Sequence, residues 1–549
     1  MRTSGHRAIL EALARHASDP APGAVRKAAV IHSRGGDKVE TLTYGGLATM
    51  AAGISRTLAE DGVGPGSLVG IGLERSTTMV AALVGVLLRS ASFFTVSPKL
   101  KPSRLTAIQA VTDATAMVLD SVSVVRLGHS GIETLAGKMI YLVDDGSPLA
   151  RHAYTLVESH TKVRRLTMSV VPAGPFALDD VPAPTDSCMV LLTSGSTGSI
   201  KSVRVPVDDL YARATAETEA YGITAADRVL NLLPFSFDVG CNQLFSTLTA
   251  GASLVISHAW SAADVCGAVR KFRVSGLSAV PTIWSAILAY DPDDAGSALR
   301  GLRYGAVSGG AMARPQIEGL QRLAPRLSIY KTYGQTETFR SSMLRPDQVS
   351  AKADSVGRPV PGVEVHVQKE DGTRARAGEV GEILHAGAGI MLGYAGDAAA
   401  TRARRVPNPF GAGLVVRTGD LGFLDDDGFL HIRGRIDRMI KTRGSRMYPQ
   451  EVEAVATRYP GVVDAVAFGV TGAGAEVSVG LAVTTNQGVE PVGLNQFLRK
   501  HLATFMIPQR IWLLSDLPRT LSGKIDVPAT EEWCARRIPS WPAAPGTTA

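Results

Sequence analysis

Short apolar segments alternate with helical stretches between about residues 65 and 360, and this alternation constrains the fold more than any other feature of the sequence. The apolar segments, such as SLVGIGL, ASLVIS and LSAVP, have the length and aliphatic content of buried strands. Strands that are separated by helices form parallel sheets covered by those helices. We therefore expect a layered α/β fold, with ligands bound at the loops that follow the strands.

The pattern of predicted elements changes after about residue 355, where short strand-like segments separated by glycines replace the alternation of strands and helices. Glycine-punctuated segments such as VEVHVQ, GEILHAG and DGFLHIRGR predict a β-rich subdomain, about 355–436, within an N-terminal domain of residues 1–436. Alternating helices and strands then predict a small α+β domain over residues 437–535. The Pro- and Ala-rich stretch 536–549 is predicted to be disordered.

Composition argues against several classes of protein. The net charge of +7 comes from 57 basic and 50 acidic residues, a small excess that does not imply nucleic-acid binding. The four cysteines form no CxxC pair, so neither a zinc site nor a disulfide framework is predicted. The apolar stretch Met79–Leu88 is too short to span a bilayer, and the N-terminus lacks the apolar core of a signal peptide. We expect a cytoplasmic protein without a membrane segment.

A hydroxyl- and glycine-rich run, LLTSGSTGSIKSV, follows a predicted strand at residues 189–192. Its hydroxyls, flexible glycines and single lysine suit the oxygens of a polyphosphate. The candidate phosphate-binding residues here are Thr193, Ser194, Gly195, Ser196, Thr197, Gly198 and Lys201. The lysine does not follow the last glycine directly, as it does in an ordinary P-loop, and a flexible surface loop is the alternative.

Four further motifs could carry chemistry. In YGQTET, which starts at Tyr333, Thr336 could bond a phosphate and Glu337 could hold Mg²⁺. In RTGDLG, Asp420 could accept hydrogen bonds from both hydroxyls of a ribose, although an aspartate in an empty turn is equally typical. GRIDRMIKTRG and LPRTLSGKID, the latter with Lys524 on a Ser-Gly turn, could each be basic loops.

In this order and at these separations, the five motifs resemble the adenylate-forming superfamily of acyl-CoA ligases and nonribosomal peptide adenylation domains. The resemblance covers nearly the whole chain, and SVGRPVPG and GEILHAGAGIMLGY add to it. It implies a two-step reaction. A carboxylate attacks the α-phosphate of MgATP to give an acyl-adenylate and pyrophosphate, and a thiol then takes the acyl group.

The resemblance also implies roles for single residues. Lys524 is the expected catalytic lysine, with Thr336 and Glu337 at the α-phosphate and the magnesium ion. ATP contacts are expected from the hydroxyl-rich run and from Tyr333, Asp420 and Arg435, and a hinge is expected at Asp437. The small domain should rotate between half-reactions, withdrawing the lysine and presenting the loop 441–446. Two departures from the family pattern are expected to be tolerated, namely Ile200 and Ser202 beside Lys201, and Gln335 in place of a proline.

Phe237-Asp238 resembles the element of amino-acid adenylation domains whose aspartate binds the substrate ammonium group. An aspartate on a solvated turn is the alternative. Following the family pattern, the rest of the pocket should comprise Val239, Asn242, Ser278, Ala306, Ser308, Gly309, Thr332, Arg340 and Ser341. Arg340, supported by Ser308, would suit a second substrate carboxylate. A surface arginine or an internal pair with Asp238 is the other interpretation.

The Asp238, Ser308 and Arg340 set is similar to stand-alone enzymes that activate β-amino acids, including 3-methylaspartate, for macrolactam polyketides of the vicenistatin type. We therefore expect aspartate or 3-methylaspartate as substrate, with the carboxylate β to the amine activated. The expected acceptor is the phosphopantetheine thiol of a separate, acidic carrier protein.

Two alternatives remain open. SRMYPQEVEA leans toward acyl-CoA ligases, which would make CoA the acceptor for a small carboxylic acid. A non-catalytic, basic, nucleic-acid-associated protein is the alternative from another class. The presence of Lys524, Glu337 and Asp420 argues against it.

Overall fold

The computed structural model describes residues 5–18, 27–34, 38–167, 178–183, 188–194, 200–258, 261–310, 312–442, 445–471, 477–486, 488–520 and 523–536. The helices are α1 (Gly5–Ser18), α2 (Tyr44–Glu60), α3 (Thr77–Leu87), α4 (Pro102–Thr112), α5 (Ser121–Glu133), α6 (Pro148–Glu158), α7 (Val207–Tyr221), α8 (Asp238–Thr249), α9 (Ala262–Phe272), α10 (Pro281–Ala289), α11 (Pro292–Leu299), α12 (Arg314–Leu323), α13 (Pro346–Val349), α14 (Ala398–Arg404), α15 (Pro449–Ala456), α16 (Pro491–His501) and α17 (Val527–Ala535).

The strands are β1 (Ala28–Ser33), β2 (Val39–Thr43), β3 (Leu68–Gly72), β4 (Ser92–Thr95), β5 (Ala116–Leu119), β6 (Met139–Asp144), β7 (Lys162–Thr167), β8 (Cys188–Ser194), β9 (Ile200–Pro206), β10 (Arg228–Asn231), β11 (Ser253–Ile256), β12 (Gly276–Ala279), β13 (Tyr304–Val307), β14 (Ser328–Tyr333), β15 (Ser342–Leu344), β16 (Arg358–Pro359), β17 (Val363–Gln368), β18 (Gly381–Gly387), β19 (Gly393–Tyr394), β20 (Arg405–Pro407), β21 (Leu414–Leu424), β22 (Leu430–Arg435), β23 (Ile440–Thr442), β24 (Ser445–Met447), β25 (Val462–Thr471), β26 (Val477–Thr485) and β27 (Arg510–Leu514).

Within the described ranges, two large sheets dominate the N-terminal part of the chain. One has nine strands in the order β16-β15-β14-β13-β12-β10-β11-β1-β2, and the other has eight in the order β19-β9-β8-β4-β3-β5-β6-β7. The central strands of both sheets are parallel. Both edges of the nine-stranded sheet are antiparallel, whereas the eight-stranded sheet is antiparallel at its β19 end and parallel at its β7 end. This mixed α/β architecture confirms the predicted fold class.

Helix α3 is apolar on all sides because it lies between the two large sheets. It contacts β3 and β4 of one sheet and β1 and β2 of the other. Its residues from Met79 to Leu87 are buried, and the side chain of Ser76 caps its start by accepting a hydrogen bond from the Met79 N–H. The apolar stretch in the sequence is therefore a core helix. None of the described helices has the length and apolar content needed to cross a membrane.

Helices α7 and α8 pack against each other, and α8 carries the predicted site residues Asp238, Val239 and Asn242. The start of α8 approaches the preceding loop closely, since a Cβ atom at Gly240 would lie 2.3 Å from the carbonyl oxygen of Pro234. Only glycine allows this approach. The contact fixes the first turn of α8, and with it the position of Asp238.

Apart from β19, the described strands that follow β16 in the sequence form smaller, separate sheets. Strands β17, β18, β20, β21 and β22 form a sheet of their own, as the glycine-punctuated segments predict. Beyond Asp437, the described strands pair only with one another, β23 with β24 and β25-β26-β27 in a row, around a separate apolar cluster. We retain the limits 1–436 and 437–535 as a proposal. Residues 537–549, most of the predicted disordered tail, lie outside the described residues.

Candidate active site

Asp420 on β21 is the centre of a hydrogen-bonded group. Its Oδ2 atom accepts hydrogen bonds from the Tyr333 hydroxyl and from the Gln335 amide, both at 2.6 Å. Burial raises the pKa of the Asp420 carboxyl, while Arg435, 3.3 Å from Oδ1, acts to lower it. Gln335 also donates to the carbonyl oxygen of Thr418 at 2.9 Å. The residue that replaces the family's usual proline therefore helps to orient Asp420.

Arg435 also forms two parallel hydrogen bonds with Asp437. The distances are 2.8 Å from Nε to Oδ1 and 2.9 Å from Nη2 to Oδ2. This pairing raises the pKa of Arg435 and lowers that of the Asp437 carboxyl. Asp437 lies in a short 3-10 turn between β22 and β23, so the proposed hinge residue is ion-paired with a proposed ribose ligand. Beside the pair is a hollow of about 260 Å³, with Arg404, Arg417 and Glu382 among its charged lining residues.

Glu337 lies in the turn after β14, next to the half-buried Thr336. The hydroxyl of Tyr394 donates a hydrogen bond to Glu337 Oε1 at 2.8 Å. Lys201 Nζ lies over the ring of the same tyrosine, 5.1 Å from its centroid. Tyr394 therefore connects two motifs that are far apart in the sequence, the hydroxyl-rich run and YGQTET.

The hydroxyl-rich run joins two paired strands. Strand β8 ends at Ser194, strand β9 begins at Ile200, and Thr193 lies opposite Lys201 in antiparallel register. The strand predicted at residues 189–192 is therefore present. The side chain of Ser194 and the residues Gly195, Ser196, Thr197 and Gly198 lie outside the described parts of the structure, so their contact with phosphate stays a prediction.

Lys524 lies in the segment between β27 and α17, and this segment contacts residues that follow strands of the nine-stranded sheet. The preceding residue, Gly523, accepts a hydrogen bond at its carbonyl from the Thr282 hydroxyl at 3.2 Å. Gly309 has a positive φ of 80°, and a Cβ atom there would lie 2.9 Å from Lys524 Cε. The missing side chain of Gly309 therefore leaves room for the lysine. The structure brings together these two residues, which the sequence places 215 positions apart.

Asp238 is the first residue of α8. Its Oδ1 atom accepts a hydrogen bond from the Val239 N–H at 2.8 Å. Burial raises the pKa of the Asp238 carboxyl, and the positive charges of Lys524 and Arg340 act to lower it. Among the described residues, no cation lies within ion-pairing distance of this carboxylate. Asp238 is thus a partly buried carboxylate that feels the charge of two cations without forming an ion pair with either.

Arg340 forms an ion pair with Glu217. Its Nη2 lies 2.9 Å from Glu217 Oε2, and its Nη1 donates to the Tyr221 hydroxyl at 3.1 Å. The side chain of Glu217 is 2% exposed and that of Arg340 is 10% exposed. The alternative of a surface arginine or a pair with Asp238 is therefore wrong, because α7 supplies a buried carboxylate that the sequence interpretation overlooked. Substrate binding by Arg340 remains a proposal.

Two other predicted pocket residues have partners of their own. Asn242 Nδ2 donates to Glu217 Oε2 at 2.6 Å, whereas Asn242 Oδ1 is buried without a hydrogen-bond partner among the described residues. The hydroxyl oxygens of Ser308 and Thr332 are 2.6 Å apart. The expectation that Ser308 supports Arg340 is therefore wrong, because its described hydrogen bond goes to the neighbouring strand.

The remaining pocket residues lie on the large sheets or against them. Ser278 on β12 is opposite Ala306 on β13. Ser341 is fully buried, with its hydroxyl 2.9 Å from His385 Nδ1. Val239 packs against an apolar cluster at the start of α8. These residues are uncharged, so they would add no charge to the proposed pocket.

The sequence interpretation missed Glu217, although a local signal was present. In α7, Arg213, Glu217 and Tyr221 recur at i, i+4 and i+8, and all three are buried. Polar residues at this spacing lie on one face of a helix. Charged residues on one face of a helix that packs among apolar segments could have indicated a buried ionic site. Its partner, Arg340, is far away in the sequence and could not be identified locally.

Family models match most of the chain. The model for AMP-binding enzymes matches residues 19–395, and the model for the C-terminal domain of AMP-binding enzymes matches residues 451–524. The chain belongs to the AMP-binding enzyme family. The hydroxyl-rich run and YGQTET lie within the first match, LPRTLSGKID crosses the end of the second, and RTGDLG and GRIDRMIKTRG lie between the two. The two matches confirm the adenylate-forming superfamily.

Similar curated proteins include parts of antibiotic and peptide synthetases. This AMP-binding enzyme is 30% identical over 496 residues to novobiocin biosynthesis protein H of Streptomyces niveus, covering 89% of this chain and 78% of that protein. It is 28% identical over 491 residues to bacitracin synthase 1 of Bacillus licheniformis, covering 89% of this chain but 8% of the synthase. The AMP-binding enzyme thus spans only a small part of some curated relatives.

Solved structures share its fold. The amide bond synthetase McbA of Marinactinospora thermotolerans has a TM-score of 0.81 at 23% identity, covering 96% of this chain and 99% of that one. The O-succinylbenzoate coenzyme A synthetase of Bacillus subtilis, in complex with ATP and magnesium, has a TM-score of 0.73 at 22% identity, covering 95% and 99%. The AMP-binding enzyme is an AMP-forming ligase, and ATP-dependent adenylation of a carboxylate is the reaction typical of its family.

Proposed function

We propose that this enzyme adenylates an amino acid and transfers it to the phosphopantetheine thiol of a separate carrier protein. The proposed substrate is aspartate or 3-methylaspartate, activated as a β-amino acid. The observation that carries this proposal is the partly buried carboxylate of Asp238, which has no ion-pair partner among the described residues and lies within the electrostatic reach of Lys524 and Arg340.

Asp238 supports an amine-bearing substrate. Keeping an anion away from water without a partner is costly, and a substrate ammonium group would relieve that cost. The carboxylate sits at the start of α8, and the described residues supply one hydrogen bond to it, from Val239. Aryl and fatty acids lack a cation and would leave Asp238 uncompensated.

Lys524 supports activation of a carboxylate next to that ammonium group. Its side chain lies against Gly309, and its positive charge acts on the Asp238 carboxylate. There it would contact the substrate carboxylate and the α-phosphate, where negative charge accumulates in the transition state. Each charged part of the substrate would then meet an opposite charge: the amine would meet Asp238, and the reacting oxygen atoms would meet Lys524.

Glu337 and Thr336 fit a magnesium ion and a phosphate. Tyr394 occupies one oxygen atom of Glu337, so the other is left as a hard oxygen ligand of the type that Mg²⁺ prefers. When bound, the ion would neutralise charge on the phosphates of ATP. Asp420, oriented by Tyr333 and Gln335, would bind the ribose hydroxyls.

Arg340 supports a second carboxylate on the substrate. A guanidinium has five N–H donors, and the described residues accept from Nη1 and Nη2 once each. The remaining donors could bind a substrate carboxylate, in a fork geometry suited to it. Such a group distinguishes aspartate and 3-methylaspartate from neutral amino acids.

The carrier-protein acceptor rests on the similarity to parts of peptide synthetases and on the basic residues near the small domain. Arg433, Arg438 and Lys441 lie close to the proposed hinge. An acidic carrier would be attracted to such a surface.

The test is substrate-dependent ATP–pyrophosphate exchange with the purified enzyme. Aspartate, 3-methylaspartate, neutral β-amino acids, neutral α-amino acids and amine-free acids are compared, with Lys524→Ala as the inactive control. We expect the acidic amino acids to give the highest kcat/KM. A preference for amine-free acids would contradict the proposal and favour a CoA ligase, which would release acyl-CoA when given CoA alone.

A further inference from the structure

One face of α7 holds Arg340 through three residues at helical spacing. Arg213 Nη1 donates to the backbone carbonyl of Arg340 at 2.9 Å. One turn further on, Glu217 forms the ion pair with the guanidinium, and after another turn Tyr221 accepts a hydrogen bond from it at 3.1 Å. The relative exposure of each of these four residues is 8% or less. The arginine is therefore fixed at its backbone and at its charged end.

Glu217 itself is held in place from α8. Asn242 Nδ2 donates to its Oε2 at 2.6 Å, and the Ser246 hydroxyl lies 3.4 Å from its Oε1. Both oxygen atoms of the carboxylate thus have neighbours, so its orientation relative to Arg340 is set by two helices.

The charge of Glu217 also affects what Arg340 can bind. Burial alone would lower the pKa of Arg340, but Tyr221, Glu217 and Asp238 raise it, so the guanidinium stays charged. A substrate carboxylate that approaches Arg340 would share the guanidinium with Glu217. Two anions at one cation repel each other, so Glu217 weakens the attraction of an acidic substrate.

We propose that Glu217 is a specificity-determining positioning residue, which holds the Arg340 guanidinium at the substrate pocket and offsets its charge. This inference rests on the proposed amino-acid adenylation and deepens it. Glu217 limits how strongly the pocket prefers a substrate with a second carboxylate over the corresponding amide. Glu217 thus fixes the position of Arg340 but reduces the preference for the acidic substrate over its amide.

Glu217→Gln removes the charge while preserving the hydrogen bonds. The amide oxygen can accept from Arg340 and Asn242 as Oε2 does now. The amide nitrogen would face Ser246, whose hydroxyl already donates to the Gln243 carbonyl at 3.2 Å and can accept a further hydrogen bond. The matched control is Glu219→Gln, the same substitution at an exposed position of the same helix.

The experiment measures kcat and KM for ATP–pyrophosphate exchange with aspartate, asparagine and isoasparagine. The two amides each replace one carboxylate of aspartate, so the comparison does not depend on which carboxylate is activated. One of the two amides keeps the carboxylate that is activated and lacks the other one. We expect Glu217→Gln to raise the ratio of kcat/KM for aspartate to kcat/KM for that amide by about tenfold, mainly by lowering KM for aspartate. Glu219→Gln should leave the ratio unchanged.

A double variant tests whether the effect passes through Arg340. In an Arg340→Gln background, Glu217→Gln should no longer change the ratio, since no guanidinium then brings the substrate carboxylate next to Glu217. A second variant, Tyr221→Phe, removes a contact to the guanidinium without changing charge. It should weaken aspartate about threefold and leave the amide unaffected.

The outcomes separate this inference from the proposed function. If the wild-type enzyme exchanges amino acids but Glu217→Gln changes aspartate and the amide equally, the role of Glu217 is wrong and the adenylation stands. The same holds if the shift persists in the Arg340→Gln background. If the wild-type enzyme gives no exchange with any amino acid, the proposed function fails and this inference fails with it. Thermal melting shows whether each variant still folds. If Glu217→Gln does not fold, the kinetics of Tyr221→Phe test instead whether this face of α7 positions Arg340.

Discussion

At the scale of single residues, the chemistry of the site depends on how each charge is paired. Asp420 and Glu337 have protein hydrogen-bond donors that orient them, and Arg340 has a carboxylate that neutralises it. Asp238 accepts one hydrogen bond, from the Val239 N–H, but has no ion-pair partner among the described residues, and burial raises its pKa. This contrast is the reason for assigning the substrate ammonium group to Asp238.

The pH dependence of substrate binding tests this assignment. Ammonium binding needs the ionised form of Asp238, and because the pKa of that carboxyl is raised, the ionised form is lost at a higher pH than for an exposed aspartate. We expect KM for aspartate to rise as the pH falls through the raised pKa. Asp238→Asn should lower kcat/KM for amino acids by about 100-fold and abolish this pH dependence.

The control for that variant is Asp264→Asn. Asp264 lies in the first turn of α9 and is exposed, so it matches Asp238 in its helical position but faces solvent. Its substitution should leave KM unchanged. If Asp238→Asn bound aspartate as tightly as the wild-type enzyme does, Asp238 would not be the ammonium ligand.

At the scale of elements, the site is assembled where loops from different sheets meet. The turn after β13 carries Gly309, and the segment before α17 carries Lys524. A Cβ atom at Gly309 would fall 2.9 Å from Lys524 Cε, closer than two carbon atoms can pack. The position of the lysine therefore depends on a glycine in a distant element.

Gly309→Ala should impair catalysis beyond its effect on stability. The methyl group would displace Lys524, and we expect the exchange rate to fall at least about tenfold. The positive φ of 80° adds a backbone cost of about 1 kcal/mol in any case. Gly372→Ala is the matched control, since Gly372 has a φ of 83° and no atom within 4 Å of the added Cβ.

Exchange kinetics and thermal melting separate the two effects. Both variants should lower the melting temperature, but only Gly309→Ala should lower kcat. Equal activity of the two variants would mean that the lysine adopts a different position during catalysis.

At the scale of the whole molecule, His385 links the substrate pocket to the β-rich sheet. It lies on β18, fully buried, with Nδ1 2.9 Å from the Ser341 hydroxyl and Nε2 2.8 Å from the carbonyl oxygen of Ala388. Burial lowers the pKa of His385 from 6.5 to about 4. Folding therefore requires this ring to be neutral.

The free energy of unfolding should depend on this histidine below neutral pH. A histidine whose pKa is lower in the folded state stabilises the fold fully above pH 6.5, and this stability is lost as the pH falls toward 4. From pH 7 to pH 5 we expect a loss of about 2 kcal/mol from His385. Denaturant titrations should show a smaller loss over that range for His385→Gln.

The matched control is His501→Gln, at an exposed position near the end of α16. Its loss of stability from pH 7 to pH 5 should equal that of the wild-type protein. If His385→Gln also kept the full wild-type slope, another group would be responsible for the acid sensitivity.

The sequence by itself determined what depends on local pattern. The alternation of apolar segments and helical stretches predicted the α/β layers, and β3, β11 and β12 form where it placed strands. The five motifs predicted the superfamily because each is a contiguous run of residues. The ammonium-binding role of Asp238 came from the resemblance to amino-acid adenylation domains and stays a prediction.

Tertiary structure decided the partners of these residues. Arg340 was expected to be free for substrate or paired with Asp238, yet it pairs with Glu217, which lies 123 positions earlier. Gln335 was expected to be a neutral replacement, yet it orients Asp420 from 85 positions away. Ser308 was expected to support Arg340, yet it contacts Thr332 on the adjacent strand. Charges and hydrogen bonds act through space, so residues far apart in the sequence determine each other's state only once the sheets and helices have packed.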